Sequence, residues 1–399
     1  MHLPHTTLRR LTALLSALNR KPGLGMLTHV YFTPVGSHIV LQASDLDLEF
    51  HWPLPAAHFN TLPKPASCPI AWLLKIAKAV RKDGHLELRL SDDGRTLCAY
   101  PSTGPSARSP EPSFPIADMP AFSTGGFTRG GWLSHDTLKH VTAAKDFLST
   151  DETRYVISGS LITTTGHCVA TDGRRLIHRA TPGTLLPEDI ILAPKYFAPL
   201  LEISDGELTE NGKGTSVAAG IRDGQRLAVY FPAEHTDKML VRSGTCLLTA
   251  KMIMGNYPNW RQVVPSGFNA MADLDVAALE TLRTAFFRSP ARGNTLVTLH
   301  LDPDGILRAD ITATVKGQGT IELLPERRFP AGKHVIAMTQ RHFSLSFNAH
   351  FFLTAINATG TRLRFVGDCD PILTGDPLTG EAVLMPMRTN VPDPEAVQA

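Results

Sequence analysis

A short segment occurs twice in the chain, and the distance between the copies constrains the fold more than any other feature. Val40–Asp45 has the sequence Val-Leu-Gln-Ala-Ser-Asp, and His167–Asp172 has His-Cys-Val-Ala-Thr-Asp. The two aspartates are 127 positions apart, which is close to a third of the 399 residues. Leu307–Thr314 is a weaker third copy without the aspartate. Repetition at a fixed spacing predicts three similar domains.

Each third also carries two stretches with the apolar spacing of a helix. The first of each pair are Thr7–Asn19, a segment around Leu138, Val141 and Ala144, and a segment around Val276, Leu279, Leu282 and Phe286. The second are Ala71–Lys82, Pro194–Ile203 and Asn348–Ala358. Between them, short alternating runs end at turns such as Asp93-Gly94 and Asp304-Gly305, which predicts strands. We therefore predict an α+β fold of three similar domains with antiparallel sheets, bounded at 1–127, 128–266 and 267–399.

The composition is that of a globular protein, with 43% hydrophobic and 19% charged residues. The net charge of +2 is too balanced to indicate nucleic acid binding, so any DNA contact must come from local patches. Five scattered cysteines without a CxxC pair indicate reduced thiols. The leucines of Leu8–Leu18 recur at helical spacing, which favours an amphipathic helix over a secretory leader, and we expect a cytoplasmic protein.

Five motifs, in order along the chain, resemble one family. They are Ser44–Glu49 (SDLDLE), Ala117–Pro120 (ADMP), Ala170–Leu176 (ATDGRRL), Tyr257–Pro265 (YPNWRQVVP) and Val383–Arg388 (VLMPMR). Each motif alone is weakly specific, but their order and spacing cover nearly the whole chain. Together they are similar to the bacterial DNA sliding clamp, the DNA polymerase III beta subunit.

That resemblance implies a processivity factor for DNA replication, not an enzyme. Two three-domain subunits would associate head to tail as a homodimer, and the closed ring would encircle duplex DNA without reading its sequence. The implied partners are duplex DNA, the catalytic subunit of DNA polymerase III and the clamp loader. No catalytic residue, metal or cofactor is expected.

The resemblance further implies a pocket for partner peptides, with an apolar floor, adaptable methionines and arginines at its rim. The matching positions are Ile157, Thr171, Gly173, Arg174, Arg175, Leu176, Pro258, Gln262, Val263, Val383, Met385, Pro386, Met387 and Arg388. From sequence alone, core packing is the favoured explanation for Met385 and Met387.

Basic residues on or beside the predicted inner helices are the candidates for contacts with DNA phosphates. They are Arg9, Arg10, Arg20, Lys21, Lys75, Lys78, Arg81, Lys82, Lys139, Lys145, Arg283 and Arg288. Lys75, Lys78 and Lys82 have the spacing of one face of the second helix. Glu202, in the corresponding helix of the middle third, makes this basic lining uneven.

Three features depart from the family. Gln262 stands where the family often has a basic residue, and the chain continues from Thr389 to Ala399 beside the pocket. Pro101–Pro115 is rich in proline where the family has a strand near the subunit joint, so we expect a loop and doubtful edge pairing there.

Two alternatives remain open. A divergent accessory clamp for a repair polymerase would have the same sequence pattern. A metal-dependent phosphodiesterase is suggested by Asp45, Asp47 and Glu49, whose alternation on a strand places three carboxylates on one face. Gly212–Thr215 has the wrong spacing for a phosphate-binding loop, and His167 with Cys168 is too small a set for zinc.

Overall fold

The computed structural model describes residues 1–18, 23–55, 62–110, 122, 125–204, 226–233, 237–303, 306–329, 336–337, 342–378 and 380–387. Helices and antiparallel strands recur in the same order three times, which confirms the predicted α+β fold. Each third has a strand and a helix, then four or five strands, a second helix and three final strands. Within the described ranges, no helix is long and apolar enough to cross a membrane.

The elements of each third have these bounds. The first third contains β1 (His2–Pro4), α1 (His5–Ala17), β2 (His29–Val35), β3 (His38–Ser44), β4 (Leu48–Pro55), β5 (Ala66–Pro69), α2 (Ile70–Ala77), β6 (His85–Leu90), β7 (Leu97–Pro101) and β8 (Ala107–Arg108). The second contains β9 (Phe127–Ser134), α3 (His135–Ala143), β10 (Ser160–Ile162), β11 (His167–Thr171), β12 (Arg175–Ala180), β13 (Ile190–Leu192), α4 (Phe197–Ser204), β14 (Arg226–Pro232), β15 (Lys238–Ser243) and β16 (Cys246–Lys251). The last contains β17 (Ala270–Asp273), α5 (Val276–Phe287), β18 (Thr295–Leu301), β19 (Leu307–Val315), β20 (Gly319–Phe329), β21 (Ile336–Ala337), β22 (Phe343–Asn348), α6 (Ala349–Thr359), β23 (Arg362–Phe365), β24 (Ile372–Asp376) and β25 (Gly380–Leu384).

The chain forms two compact units. Unit 1 comprises Met1–Thr142, Ile162–Gly166 and Thr181–Met254, and unit 2 comprises Ala143–Leu161, His167–Ala180 and the residues from Gly255 onward. Unit 1 contains the sheets β1-β6-β7-β8 and β5-β2-β3-β4-β16-β15-β14-β9. In unit 2, one sheet has the order β20-β19-β18-β22, and a second runs β11-β12-β25-β24-β23-β17-β21. The division of the chain at residues 127 and 266 remains a prediction.

Helix α1 shows how the apolar spacing places a helix on the core of unit 1. Leu8, Leu11 and Leu15 are buried, whereas Ser16 on the opposite face is exposed. Full burial of each leucine stabilises the fold by about 1.5–3 kcal/mol, and the buried face packs against α2 and α4. The predicted amphipathic helix is therefore confirmed, although it begins at His5 and ends at Ala17.

Two local predictions differ from the structure. Helix α2 ends at Ala77 with Lys78 as its helical C-terminal cap, so Lys82 follows the helix and does not extend its basic face. The proline-rich stretch contains the short strand β8, which pairs with Cys98 and Ala99 of β7. Pairing is possible there because neither residue of β8 is a proline, and β8 is the last strand of its sheet. Residues 111–115 lie outside the described chain.

The first copy of the repeated segment ends in a turn built by its own side chains. The Asp45 carboxylate accepts hydrogen bonds from the backbone N–H groups of Asp47 (3.1 Å) and Leu48 (2.7 Å). The Ser44 hydroxyl accepts one from the N–H of Leu46 (3.0 Å). Leu46 has a φ of 75°, a left-handed conformation that is unfavourable for a residue with a side chain.

The second copy makes the same turn, 127 residues later. Asp172 accepts from the N–H groups of Arg174 (2.9 Å) and Arg175 (3.0 Å), and the Thr171 hydroxyl accepts from Gly173 (3.0 Å). Gly173 has a φ of 85° and occupies the place of Leu46. The repeat in the sequence is therefore a repeat of individual hydrogen bonds, with the Ser/Thr-Asp pair as its shared element.

Candidate functional site

The turn after β11 fixes the position of several predicted pocket residues in unit 2. The Thr171 hydroxyl donates to the carbonyl of Arg175 (2.7 Å) while it accepts from Gly173. Both hydrogen-bonding roles of this hydroxyl are therefore used inside the turn. Arg174, in contrast, is exposed, so its side chain is available to a ligand.

Arg175 corrects the expectation that both arginines lie at the pocket rim. Its side chain is only 5% exposed, and its Nε donates to Asp172 at 3.0 Å. Its guanidinium also donates to the carbonyl of Asp146 and lies 4.1 Å and 4.9 Å from the ring centroids of Phe351 and Phe147. A buried guanidinium with these partners holds the turn in place.

The last described segment of the chain joins this turn through strand β25. Val383 pairs with Leu176 of β12, and both side chains are buried. The N–H of Met385 then donates to the carbonyl of Arg174 (3.2 Å), and that of Met387 donates to the carbonyl of Ser346 (2.8 Å). Because backbone bonds fix this segment, the methionine side chains project from a defined position.

An open groove of about 660 Å³ lies beside this segment. Its lining consists of Gln262, Val263, Pro265, Ser266, Gly267, Phe268, Asn269, Val366, Asp370, Pro371 and Met385. Val263 and Met385 are 37% and 38% exposed, so core packing, the alternative explanation for Met385, does not account for that residue. Partly exposed apolar side chains around a concave surface favour a ligand with apolar side chains.

A second cavity of similar volume lies in the same unit. It is lined by Lys145, Asp146, Leu148, Ser149, Thr150, Asp151, Arg154, Asp172, Arg174, Arg175, His350 and Phe351. The predicted pocket residues thus divide between an apolar groove, with Gln262, Val263 and Met385, and a charged cavity, with the two arginines.

The other predicted pocket residues vary in exposure. Ile157 is buried, Gly173 and Pro258 are exposed, Pro386 is half-buried and Met387 is 47% exposed. Arg388 lies outside the described residues. The sequence motifs did not include the groove residues Phe268, Val366 and Pro371. Among these three, Phe268 lies three residues after the motif that ends at Pro265, so its nearness in sequence could have indicated it.

Next to the groove, Tyr257 and Trp260 anchor the segment that forms one wall. The Tyr257 hydroxyl donates to the carbonyl of Val169 at 3.4 Å, and burial raises the pKa of this phenol well above its ordinary value. Trp260 is 6% exposed and packs against the rings of His178 and His167. The aromatic-proline motif therefore attaches the 260–263 turn to β11 and β12.

The predicted DNA-contacting residues differ in how much charge they present. Lys75, Lys78, Arg81, Lys82, Lys139, Lys145 and Arg288 are exposed. Arg9 forms an ion pair with Glu202 of α4, and Arg283 with Glu280. Arg10 does not lie on the surface as predicted, because it is 6% exposed and packs in the interior of unit 1. Arg20 and Lys21 lie outside the described ranges.

The carboxylates behind the metal-enzyme alternative are engaged in structural contacts. Asp45 caps its own turn, Asp47 pairs with Lys195 (2.9 Å), and Glu49 lies 3.7 Å from Lys238. These contacts account for the three acidic side chains without a bound ion. In the part of the chain that is described, no cluster of three metal-ligating side chains occurs. Gly212–Thr215 lies outside that part.

Comparison with known proteins identifies relatives of this arrangement. No family model matches the chain. The curated protein "Beta sliding clamp" of Caulobacter vibrioides is 23% identical over 388 residues, covering 94% of this chain and 95% of that protein. The protein of the same name from Pseudomonas aeruginosa is 22% identical over 373 residues, covering 90% of each.

Solved structures show the same fold. The DNA polymerase sliding clamp from Bacillus subtilis has a TM-score of 0.71 at 17% identity, and covers 97% of this chain and 98% of its own. The beta sliding clamp of C. crescentus has a TM-score of 0.72 at 22% identity with the same coverage. Along nearly its whole length, the chain is therefore similar in sequence and in fold to the bacterial sliding clamps, which confirms the resemblance to that family.

Proposed function

We propose that this protein is a DNA sliding clamp, a non-catalytic processivity factor that encircles duplex DNA in the cytoplasm and tethers the replicative polymerase. The observation that carries this proposal is the match to beta sliding clamps over 94% of the chain, together with the shared fold. The groove and the turn that hold the motif residues add local support, because they lie in one compact unit.

Partner peptides dock, in this proposal, in the groove beside Met385 and Met387. The groove offers apolar side chains that are already partly exposed, and flexible methionines adapt to partners of different shape. Arg174 supplies a cation next to the groove, whereas Arg175 supports the turn from inside. At one wall of the groove, Gln262 has an uncharged amide where the family often has a basic residue. This amide favours polar side chains or backbone groups of the peptide there.

Replacement of Met387 by alanine tests this site. Met387→Ala should weaken binding of a labelled peptide from the polymerase III catalytic subunit, because its exposed thioether contacts the ligand. Met254→Ala is a matched control, since Met254 is 49% exposed and lies in unit 1. Equal peptide affinity for both variants in fluorescence anisotropy would count against the site.

Exposed cations carry the proposed contact with DNA. Lys75 and Lys78 have no ion-pair partner among the described residues, so their charge is available to phosphates. Arg9 is balanced by Glu202, which keeps the attraction weak. Weak contacts suit a ring that slides, because topology and not affinity retains the protein on DNA.

A salt titration of non-specific duplex binding tests these cations. Each lysine replaced by glutamine should lower the slope of log K against log salt by about 1, so the double variant loses about 2. Arg89→Gln is the control, because Arg89 is already paired with Glu87 on β6. A slope unchanged in the double variant would remove Lys75 and Lys78 from the DNA surface.

Retention on DNA tests the ring itself, which we propose to be a head-to-tail homodimer opened by the clamp loader. Once loaded, the protein should stay on closed circular DNA and dissociate after the circle is cut. Its mass in solution should be twice that of the 43.4 kDa chain. Equal retention on circular and linear DNA would refute encirclement.

A divergent accessory clamp is a second form of this proposal, and its peptide pocket would serve a repair polymerase. The departure at Gln262 and the extra residues Thr389–Ala399 motivate it. Pull-down with replicative polymerase, repair polymerase and clamp-loader subunits separates the two roles. Preference for the repair enzyme would assign the accessory role.

A further inference from the structure

Three charged or titratable side chains form a buried row in the sheet of unit 2 that contains β12, β25 and β23. His178 of β12 is directly opposite Glu381 of β25, with 3.4 Å between Nε2 and Oε2. Arg364 of β23 reaches the other oxygen of Glu381 and also donates to the carbonyl of Gly375 (3.4 Å). The side chains of His178, Glu381 and Arg364 are 13%, 9% and 10% exposed. Glu381 therefore contacts a histidine and an arginine in a buried site.

One end of this row contacts the wall that carries Gln262 and Val263. The His178 ring lies 5.0 Å from the ring of Trp260, which opens the 260–263 turn. The guanidinium of Arg261 lies 4.5 Å from the Trp260 ring. The buried Trp260 indole therefore lies between His178 and the turn that carries Gln262 and Val263, two residues that line the groove.

The other end of the row lies near a third residue that lines the same groove. The guanidinium of Arg364 lies 5.9 Å from the ring centroid of Phe268. Phe268 lines the groove and is 37% exposed. Glu381 thus contacts the two side chains that lie next to Trp260 and Phe268, although neither it nor His178 nor Arg364 lines the groove itself.

We propose that the His178–Glu381–Arg364 row is a positioning device for the peptide groove, and that protonation of His178 loosens it and weakens peptide binding. Its effect on binding rests on the proposed function, whereas its effect on the groove walls does not. The three residues act through Trp260 and Phe268.

The charges around His178 determine the direction of the pH effect. Burial lowers its pKa, Glu381 opposes this, and His167, Arg364 and Arg261 lower it further. The neutral ring is therefore the native form, and its contribution to stability is complete above the ordinary histidine pKa of about 6.5. That contribution is lost as the pH falls through the lower pKa of the folded state. Acid should loosen the groove, because it places a further cation next to Arg364 in a buried site.

The first experiment follows Trp260 in the free protein. The other three tryptophans, Trp52, Trp72 and Trp132, are replaced by phenylalanine so that fluorescence reports the groove wall alone. In Glu381→Gln, Trp260 emission should shift to longer wavelength at pH 7.5. With Glu381 intact, lowering the pH to about 5 should produce the same shift, and His178→Phe should abolish this pH dependence.

The second experiment measures affinity for the labelled polymerase peptide between pH 5 and 8. Glu381→Gln should weaken binding about tenfold at pH 7.5, because it leaves Arg364 buried without its carboxylate. His178→Phe should bind with less pH dependence than the wild type. Asp310→Asn is the matched control, since it breaks another half-buried histidine–carboxylate pair of unit 2, with His300 at 3.2 Å, away from the groove.

The outcomes separate the two proposals. If the wild type binds no peptide, the docking function fails, and the Trp260 measurement still decides the role of the row. If Trp260 emission and its pH response are unchanged in Glu381→Gln and His178→Phe, the positioning role is refuted. It is also refuted if Asp310→Asn alters peptide affinity as much as Glu381→Gln, because loss of stability alone would then explain the effect.

Discussion

Asparagine in place of the aspartate of each turn should have very different consequences in the two copies of the repeat. Asparagine keeps the side-chain oxygen that accepts two backbone N–H groups, but it removes the negative charge. In the second turn, that charge faces the Arg175 guanidinium at 3.0 Å. In the first turn, Leu48 occupies the position that corresponds to Arg175. Because leucine is uncharged, Asp45→Asn leaves no cation there without its carboxylate.

The magnitudes follow from burial. The Asp172 and Arg175 side chains are 16% and 5% exposed, so Asp172→Asn leaves a buried cation short of its carboxylate. Removing one partner of a buried pair costs about 3–5 kcal/mol, and we expect about 3 here because Arg175 keeps its bond to Asp146 and its contact with Phe351. Asp45→Asn should cost less than about 1 kcal/mol.

Urea unfolding of single-tryptophan variants measures both effects. Trp52 on β4 reports the unfolding of unit 1, and Trp260 reports that of unit 2. Comparing each asparagine variant with its parent gives two free energies of unfolding that should differ by about 2–3 kcal/mol. Equal losses in the two units would refute the assignment of Arg175 as a structural residue held by Asp172.

Two further predictions concern the backbone and the thiols. Gly173→Ala should lower the free energy of unfolding of unit 2 by about 1–2 kcal/mol, because alanine is strained at a φ of 85°. Leu46→Gly should leave the free energy of unfolding of unit 1 nearly unchanged. Glycine relieves the same strain at Leu46, and this gain offsets the greater freedom of glycine in the unfolded chain. With a thiol reagent at pH 8, the exposed Cys369 should react first. Burial raises the pKa of Cys246 to about 12 and also raises the pKa of Cys68, so both should react only after urea unfolding. Fast labelling of either buried thiol in the native protein would contradict this.

The sequence predicted the elements better than their contacts. Helical spacing located both helices of each third, because one apolar face buried against a core leaves a periodic signal. It extended α2 to Lys82, since lysine and arginine are good helix formers and nothing in the local sequence indicates that the helix ends at Ala77.

The motifs predicted a set of pocket residues but not the environment of each side chain. Arg174 and Arg175 are adjacent and chemically identical, yet one is exposed and the other is buried against Asp146 and Phe351, residues distant in sequence. Burial of Arg10 is likewise decided by packing inside unit 1. The contact of Phe268 with Arg364 and the contact of His178 with Glu381 are set by which strands become neighbours. Periodicity within a single strand does not predict that arrangement.

The strand order also bears on how the chain reaches its native state. Phe50 of β4 pairs with Leu248 of β16, and Leu176 of β12 pairs with Val383 of β25, so each large sheet joins segments about 200 residues apart. Closing such long loops is entropically costly, which makes these pairings slow steps. A chain emerging from the ribosome would keep the β4 edge open until more than half of its residues were made. Folding of unit 1 should therefore lag behind synthesis, and the unpaired β4 edge is where a chaperone or an aggregating neighbour would act first.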